Sequence, residues 1–260
     1  MSPRALDVLR GCSYVLCEDT RHSGKLCQHY DLSVRLLSYH KFNEAAREEK
    51  VIADLLQGQS VGLISDAGTP AISDPGERLV SRCVEEGIAV CPIPGPCSVI
   101  AALTVSGFST QPFQFIGFLS RKGSARRKEL QGILNYRGTT ICFESPHRVC
   151  ALLKELAQWE PSCGVVIARE LTKIHEEIIR GTAKQLTEDL QGRVLKGEMV
   201  LVIAPARKEG ASVNPEEWIG RVRELENTGM KRSEAIRQIS NQEGVSRNDL
   251  YRWMHNFIDS

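Results

Sequence analysis

The sequence predicts an α/β fold made of two α/β domains, followed by a small helical C-terminal extension. Short apolar runs alternate with longer segments whose apolar residues recur at helical spacing, as expected for strands separated by helices. The same alternation begins again after residue 112, and the last part of the chain shows helical periodicity alone. Such a rhythm favours a parallel sheet covered by helices. A chain of 260 residues is long enough for two domains of this kind.

The first predicted domain spans residues 1–112. Its strands are short runs of Val, Leu and Ile, which suit a buried pleated surface. Asp74 followed by Pro75 predicts the start of a helix, with the aspartate as the cap and the proline at the first helical position. In chain order we expect a helix at ALDVLR, strands at SYVLC and VRLLSY, a helix at NEAAREEKVIADLLQG, a strand at VGLIS, a helix at PGERLVSRCVEEG, a strand at IAVCPI and a helix at CSVIAALTVSG.

The second predicted domain spans residues 113–206, and after a linker at PARKEGASVNP the helical extension covers residues 214–260. Trp218, Val222 and Leu225 fall on one face of a predicted helix, and a turn at 244–246 gives the spacing of a helix-turn-helix. Residues 212–260 carry seven basic and eight acidic residues, so packing on the protein or a partner subunit competes with nucleic-acid binding. The second domain has expected strands at QFIGFL, TTICFE, GVVIA, EEIIRG and EMVLVIA and helices at ARRKELQGILN and HRVCALLKELAQ.

The composition is that of a cytoplasmic protein without structural metal or disulfides. The chain has 33 basic and 32 acidic residues, so its net charge of +1 exerts no general attraction on nucleic acid or membranes. Its nine cysteines are odd in number and form no C-x-x-C pair, which suits free thiols in a reducing compartment. The N-terminus is charged where a signal peptide is apolar, and no run of 18 apolar residues occurs.

Four polar loops follow predicted strands. Because the carboxyl ends of parallel strands share one edge of a sheet, these loops are expected to face a common ligand cleft. The loop after VGLIS has about nine residues, whereas a plain connector needs roughly 2 to 6. The sequence contains neither the P-loop pattern nor G-x-G-x-x-G, which disfavours nucleotide hydrolysis and hydride transfer. The loops are CEDTRHSG at 17–24, SDAGTP at 65–70, PIPGPCS at 92–98 and ESPHR at 144–148.

Eight motifs occur in the order EDTRHS, SDAGTPAISDPG, PIPGPCSVIAALTVSG, FIGFL, FESPHR, ARELTK, EEIIRGT and KGEMVLVI. In order and spacing they resemble the tetrapyrrole methylase superfamily over about Ala5 to Ala204. They are most similar to its bacterial branch that methylates a cytidine ribose 2′-hydroxyl in small-subunit ribosomal RNA. The resemblance implies S-adenosylmethionine as methyl donor, bound folded between the two domains, and a homodimer.

The resemblance also implies the donor-binding residues. Glycine allows the close main-chain approach that a folded ligand requires. Asp66 has an alternative role in bonding its own turn, Ser98 in capping its helix, and Glu144 in a surface ion pair with Arg148. The implied donor contacts are the backbone of Asp66, Ala67 and Gly68, the opposite wall of Gly95, Ser98 and Val99, and Glu144 from the second domain.

Candidate catalytic residues lie in two motifs. Methyl transfer from a sulfonium depends on positioning, and a base that accepts the ribose hydroxyl proton would assist it. The motif EDTRH offers Asp19, Arg21 and His22, and ARELTK offers Glu170 and Lys173. The charges of ARELTK are also compatible with a solvated strand end. The sequence does not rank these candidates.

A basic segment at residues 120–137 is the candidate RNA contact. It holds six basic residues and one acidic residue in a nearly neutral protein, which suits the neutralisation of phosphates. The alternative is a solvated helix face. The predicted RNA-binding residues are Arg121, Lys122, Arg126, Arg127 and Lys128.

The sequence departs from the family pattern at its start. Family members begin with a strand that ends in a proline and glycine loop, whereas Met1 to Ala5 lead directly into the following helix. We therefore expect the strand SYVLC to lose a neighbour and the chain as written to bind the donor poorly. A non-catalytic RNA-binding role is accordingly one alternative function. Carbon methylation of a tetrapyrrole is another, although the basic segment argues against a macrocycle pocket.

Overall fold

The structure, a computed structural model, describes residues 1–206, 215–243 and 247–256. The chain forms two compact units, Met1–Ala206 and Arg207–Ser260, and each is described by itself. The predicted linker lies mostly outside the described residues, as does the turn at 244–246.

The first sheet has three parallel strands. These are β1 (Tyr14–Cys17), β2 (Leu36–Ser38) and β3 (Val61–Leu63), in the order β2-β1-β3. Parallel strands need crossover connections, which the helices of this half provide. The helices are α1 (Pro3–Arg10), α2 (Thr20–His29), α3 (Glu44–Leu56), α4 (Glu77–Glu85) and α5 (Ser98–Ser106).

Strand β1 is the centre of this half, and all four of its residues are buried. Since side chains alternate across a strand, Tyr14 and Leu16 pack with residues of α3 and α4, while Val15 packs with residues of α1 and α2 on the other face. A strand covered on both faces reads as a continuous apolar run, which is why the sequence identified it.

Two expectations for this half are wrong. The strand SYVLC loses no neighbour, because β1 pairs with β2 on one side and β3 on the other. The segment IAVCPI at 88–93 is not a strand, and Val90 within it is 47% exposed. A strand requires a hydrogen-bonded neighbour, but residues 88–93 do not pair with β3. Among the described residues, β3 pairs only with β1. In this part of the chain, the edges of the sheet are therefore β2 and β3, and not β1.

The second sheet is mixed and has five strands in the order β4-β5-β8-β6-β7. Only β4 and β5 pair in parallel; the other three pairings are antiparallel. The strands are β4 (Phe113–Phe118), β5 (Thr139–Glu144), β6 (Gly164–Arg169), β7 (Glu177–Thr182) and β8 (Met199–Ile203), and the helices that follow are α6 (Gly123–Asn135), α7 (Pro146–Trp159) and α8 (Ala183–Asp189).

Helix α5 joins the two halves. Val99, Ala102 and Leu103 on one face of this helix pack with Ile141 of β5 and Val202 of β8. The opposite face of the second sheet packs with α6, α7 and α8. The Arg180 guanidinium of β7 also donates a hydrogen bond to the Val105 carbonyl of α5 at 2.5 Å. The helix that follows the Gly95 loop is thus part of the core of the second sheet.

These features confirm the α/β fold class with its C-terminal helices. The two sheets lie on either side of residue 112, while the contacts within Met1–Ala206 group both into one compact unit. We keep the division near residue 112 as a proposal.

The C-terminal unit contains helices α9 (Pro215–Asn227), α10 (Arg232–Glu243) and α11 (Arg247–Asn256). Trp218 and Val222 of α9 are buried, and Leu225 packs beside them, as the helical spacing predicted. They share an apolar core with Ile236 of α10 and Leu250 of α11.

Candidate active site

The two glycine loops that were predicted to form opposite walls lie side by side. The Thr69 hydroxyl donates to the Pro96 carbonyl at 2.9 Å, which ties the loop after β3 to the loop before α5. Gly68 has φ +80°, and a Cβ at this position would meet nothing within 4 Å. The backbone of Gly68 is therefore open, and a side chain there would be strained and would fill the open space.

The start of α5 forms the second wall. Cys97 is the N-cap and Ser98 the first helical residue, so the interpretation of Ser98 as the cap is wrong. Val99 is buried in the core of the second sheet, which leaves only its backbone for a ligand. The first N–H groups of a helix have no partner within it, so those of Ser98 and Val99 are suited to a polar ligand.

Carboxylates from both halves converge beside these loops. The Asp19 N–H donates to Asp66 Oδ1 at 3.4 Å, so Asp66 bonds a neighbouring loop as well as lining its own. Asp74 is within electrostatic range of Glu18, Asp66 and Glu198. Glu198 precedes β8, whereas the other three follow strands of the first sheet or lie in its loops.

Asp74 is the residue that sequence reasoning misplaced. It does not cap α4, because that helix begins at Glu77 with Gly76 as its N-cap. Ala71, Ser73 and Gly76 have positive φ values. The chain turns at these residues, and Asp74 therefore lies away from the start of α4. The signal for this turn was the excess length of the loop, whereas the Asp-Pro pair suggested a cap.

The pKa of Asp74 is raised to about 6, first by burial and then by the negative charges of Glu18, Asp66 and Glu198. Burial and like charges both disfavour the ionised form. At neutral pH this carboxylate is therefore ionised and is a better proton acceptor than an ordinary aspartate. A pKa close to the working pH is what proton transfer requires.

Asp19 and Arg21 are engaged with each other. The motif EDTRHS was expected to be a loop, but α2 begins at Thr20, and Asp19 caps it by accepting from the Arg21 N–H at 2.8 Å. The Arg21 guanidinium also donates to Asp19 at 2.8 Å and 3.1 Å. These bonds lower the pKa of Asp19 to about 2, so it is a weak base. His22 lies exposed on the same helix.

Glu170 and Lys173 form an ion pair on the rim of the second sheet. Lys173 Nζ lies 2.9 Å from Glu170 Oε1 and 3.1 Å from Glu198 Oε2. The Glu170 carboxylate also accepts from the Glu198 N–H, and this bond and Lys173 lower its pKa. A Cβ at Gly197 would overlap this carboxylate, so the glycine is required for the contact. Glu198 is near both this pair and Asp74. Glu170 and Lys173, however, are already bonded to each other.

Glu144 is enclosed by protein. Its side chain is 0% exposed, and Oε1 lies 3.2 Å from Arg148 Nε. The ion pair with Arg148 that was the alternative interpretation is thus present, but its Glu144 member is buried, while the Arg148 side chain is 28% exposed. The role of Glu144 as a donor contact stays a prediction.

The basic segment divides into exposed and buried residues. Arg121, Lys122, Arg127 and Lys128 are exposed, in the loop after β4 and on α6. The side chain of Arg126 is only 8% exposed and is ion-paired with Glu155 at 2.8 Å. The prediction that Arg126 contacts RNA is therefore wrong, because a guanidinium held by a carboxylate inside the protein does not reach phosphates.

The loop after β4, residues 119–122, carries Arg121 and Lys122 and is called the basic loop. It begins beside the loop that carries Asp74. Pairing of β4 with β5 shifts register between Phe115 and Phe118, and Gly117 within this irregularity has φ +63°. A Cβ at Gly117 would lie 3.3 Å from the Ser73 hydroxyl. Gly117 therefore lies beside Ser73, the residue before Asp74. This places the basic loop next to the loop that carries Asp74.

No group of His, Cys, Asp and Glu suited to hold a metal ion occurs among the described residues. Within the same residues, every helix is too short or too polar to cross a membrane.

Two joined α/β sheets, with the loop after β3 bonded to the loop before α5, define the class of α/β protein to which this chain belongs. The chain belongs to the tetrapyrrole (corrin/porphyrin) methylases, a family that matches residues 1–187. S-adenosylmethionine is the methyl donor of this protein, as of its family.

Several relatives are similar over nearly the whole chain, and each is named ribosomal RNA small subunit methyltransferase I. The relative from Synechocystis is 41% identical over 97% of this chain and 91% of its own length. Those from Halalkalibacterium halodurans and Escherichia coli O157:H7 are 39% and 38% identical, each over 97% of this chain and 89% of its own length.

Two solved structures share the fold. Cobalt precorrin-4 methyltransferase superposes with a TM-score of 0.60 and 19% identity over 78% of this chain and 88% of that chain. Uroporphyrin-III-C-methyltransferase from Thermus thermophilus gives a TM-score of 0.54 and 18% identity over 78% of this chain and 87% of that chain.

Replacement of Gly68 by valine is expected to abolish S-adenosylmethionine binding, because the side chain fills the open space above the backbone. Gly58→Val is the matched control. Gly58 has φ +84° and equally open surroundings, but it precedes β3, whereas Gly68 follows it. Isothermal titration should show binding in the control and none in Gly68→Val. Equal donor affinity in both variants would remove Gly68 from the donor site.

Proposed function

We propose that this protein methylates small-subunit ribosomal RNA, with the 2′-oxygen of a cytidine ribose as the acceptor. The observation that carries the proposal is the shared edge at which the glycine loops, the convergent carboxylates and the exposed basic loop meet. The names of the relatives support ribosomal RNA as the substrate. The family branch that the motifs resemble supports the ribose oxygen.

The cleft residues fit the methyl donor. S-adenosylmethionine carries a positive sulfonium and supplies an electrophilic methyl group. The carboxylates of Asp66, Asp74, Glu18 and Glu198 complement a cationic ligand. The backbone of Asp66, Ala67 and Gly68 would hold it on one side, and the Gly95 loop with the N–H groups of Ser98 and Val99 on the other.

Asp74 would accept the proton of the ribose hydroxyl. Its carboxylate lies in the cleft and has a pKa near 6, whereas the pKa values of Asp19 and Glu170 are lowered by their partners. Proton acceptance by Asp74 raises the nucleophilicity of the 2′-oxygen. The remaining rate comes from holding acceptor and donor in line.

The exposed basic residues would bind RNA phosphates. Arg121 and Lys122 extend from the loop beside Asp74, and Arg127 and Lys128 follow on α6. Phosphate contacts fix the position of the RNA without reading its sequence, so they would place the ribose at the cleft.

We further propose that the protein acts in the cytoplasm as a homodimer. Helix α5 is apolar on both faces, and Ile100 and Val105 are exposed on the face turned away from the second sheet. This exposed apolar surface of α5 fits contact with a second copy of the chain. Light scattering should therefore report twice the chain mass of 28.9 kDa.

The proposed activity is tested with purified small ribosomal subunits that lack the modification and labelled S-adenosylmethionine. We expect label in the RNA, at one cytidine, with resistance to alkaline cleavage at that ribose. Label on a base would contradict the ribose assignment. If the protein binds the donor but leaves the RNA unlabelled, the non-catalytic RNA-binding alternative is supported. Label in a tetrapyrrole would support carbon methylation of a tetrapyrrole.

The variant Asp74→Asn is expected to lower kcat by about 10²-fold to 10⁴-fold, as for loss of a general base. The raised pKa means that wild-type kcat falls as pH drops through about 6, since the protonated carboxyl cannot accept a proton. Measurement of kcat against pH should show this loss in the wild type, and Asp74→Asn should not follow it. Asp7→Asn, an exposed change on α1, is the control. A larger loss in Asp19→Asn than in Asp74→Asn would reverse the assignment.

Replacement of Arg121, Lys122, Arg127 and Lys128 by alanine is expected to weaken RNA binding and reduce its salt dependence. Each lost phosphate contact should lower the slope of log affinity against log salt by roughly 0.7 to 0.9. The control replaces the exposed Lys25, Lys50, Lys154 and Lys184, which changes the net charge equally. An equal slope in the wild type and the first variant would mean that the basic loop is a solvated surface.

A further inference from the structure

Ser120 is held at each of its polar groups, although it lies in a loop. Its N–H donates to Glu129 Oε2 at 2.8 Å, and its hydroxyl donates to Glu129 Oε1 at 2.6 Å. Its carbonyl accepts from Arg126 Nη1 at 3.1 Å and from Arg148 Nη2 at 3.4 Å. The residue directly before Arg121 is therefore fixed from both sides.

Arg148 connects this loop to the buried Glu144. Its Nη2 donates to the Leu119 carbonyl at 2.8 Å, while its Nε pairs with Glu144 Oε1. Glu144 Oε2 accepts no hydrogen bond from the described residues and faces Arg126 Nη1 at 3.8 Å. One carboxylate thus lies beside two arginines, and both arginines bond carbonyls of the loop after β4.

Stability alone does not account for these buried charges. Removing ions from water is costly, and apolar side chains of similar size often stabilise a core as well. What an arginine adds is a planar fork that fixes the direction of several hydrogen bonds at once. Here Nη2 of Arg148 donates to two successive carbonyls, Leu119 and Ser120, immediately before the basic residues, while Nε of the same fork pairs with Glu144.

We propose that Arg148, oriented by Glu144, is a positioning residue that holds the basic loop ready for RNA. The inference rests on the proposed function, because it takes Arg121 and Lys122 as phosphate contacts. A loop that is ordered before binding loses less conformational freedom when the RNA arrives. Arg148 itself touches no phosphate.

This role has a signature that separates it from a phosphate contact. The bound complex of an Arg148 variant contains the same phosphate contacts as the wild type, so the same number of counterions is released. RNA affinity then falls while its salt slope stays constant. Loss of Arg121 or Lys122 lowers the affinity and the slope together.

Arg148→Lys keeps the positive charge beside Glu144 but loses the fork. We expect RNA affinity to fall about five-fold to tenfold with an unchanged salt slope, and KM for RNA to rise with little change in kcat or donor affinity. Arg78→Lys is the matched control, since Arg78 pairs with the nearly buried Glu48 at 3.3 Å in the first half. A lowered salt slope in Arg148→Lys would overturn the positioning role.

Hydrogen exchange in the absence of RNA tests the loop directly. Amides of residues 119–124 should exchange faster in Arg148→Lys than in the wild type or in Arg78→Lys. Unchanged exchange would overturn the proposal, and so would faster exchange with unchanged RNA affinity. If the wild type itself binds no small-subunit RNA, the proposed function fails, and the RNA role of Arg148 fails with it. The exchange measurement needs no RNA, so it still shows whether Arg148 orders the loop.

Ser120→Ala provides a second variant, should Arg148→Lys fold poorly. It removes one hydrogen bond to Glu129 without a change in charge or in the Arg148 contacts. Because Arg148 still holds the loop, exchange, RNA affinity and salt slope should stay close to those of the wild type. Faster exchange and weaker RNA binding in Ser120→Ala would mean that Glu129, and not Arg148, holds the loop, and would contradict the proposal.

Discussion

The packing of α5 against the second sheet is the contact on which the site depends. This helix follows the Gly95 loop in the first half, yet Ala102 and Leu103 belong to the apolar core of the second. Because the core is close-packed, the first turn of α5 has a fixed position relative to β5 and β8. The Thr69 bond to Pro96 extends the same constraint to the loop that carries Gly68. The two glycine loops are thus positioned by a buried helix and not by their own bonds alone.

Acidic residues of the same type differ in character because their surroundings differ. Asp19 has a helix N-terminus and Arg21 beside it, and both favour its ionised form. Asp74 is more buried, and the charges of Glu18, Asp66 and Glu198 act on it, so its proton is retained to higher pH. The same comparison holds for Glu170, which Lys173 and a backbone N–H stabilise. The pKa of Asp74 therefore depends in part on Glu18 and Glu198, which are distant from it in sequence, whereas that of Asp19 depends on Arg21, two residues away.

Local patterns predicted the elements of the fold well and the partners of charged residues poorly. Strand β1 and the face of α9 that holds Trp218 and Val222 were readable because burial repeats with the period of the element. Residues 88–93 have strand composition, but strand formation depends on a neighbour that composition does not reveal. Arg126 looked like its exposed neighbours because Glu155, its partner, lies on another helix. The misplaced Asp74 likewise reflects positive φ values at Ala71 and Ser73, where the sequence has no glycine.

The free edge of β3 affects how the protein behaves in solution. Unpaired N–H and C=O groups of an edge strand can add a strand from another molecule, and neighbouring residues 88–93 present apolar side chains such as Val90. Association by this route uses main-chain hydrogen bonds and apolar contact. Unlike association through ion pairs, it is not weakened by added salt, and it increases with protein concentration. Handling at low concentration is the practical consequence of a sheet whose outermost strand lies open.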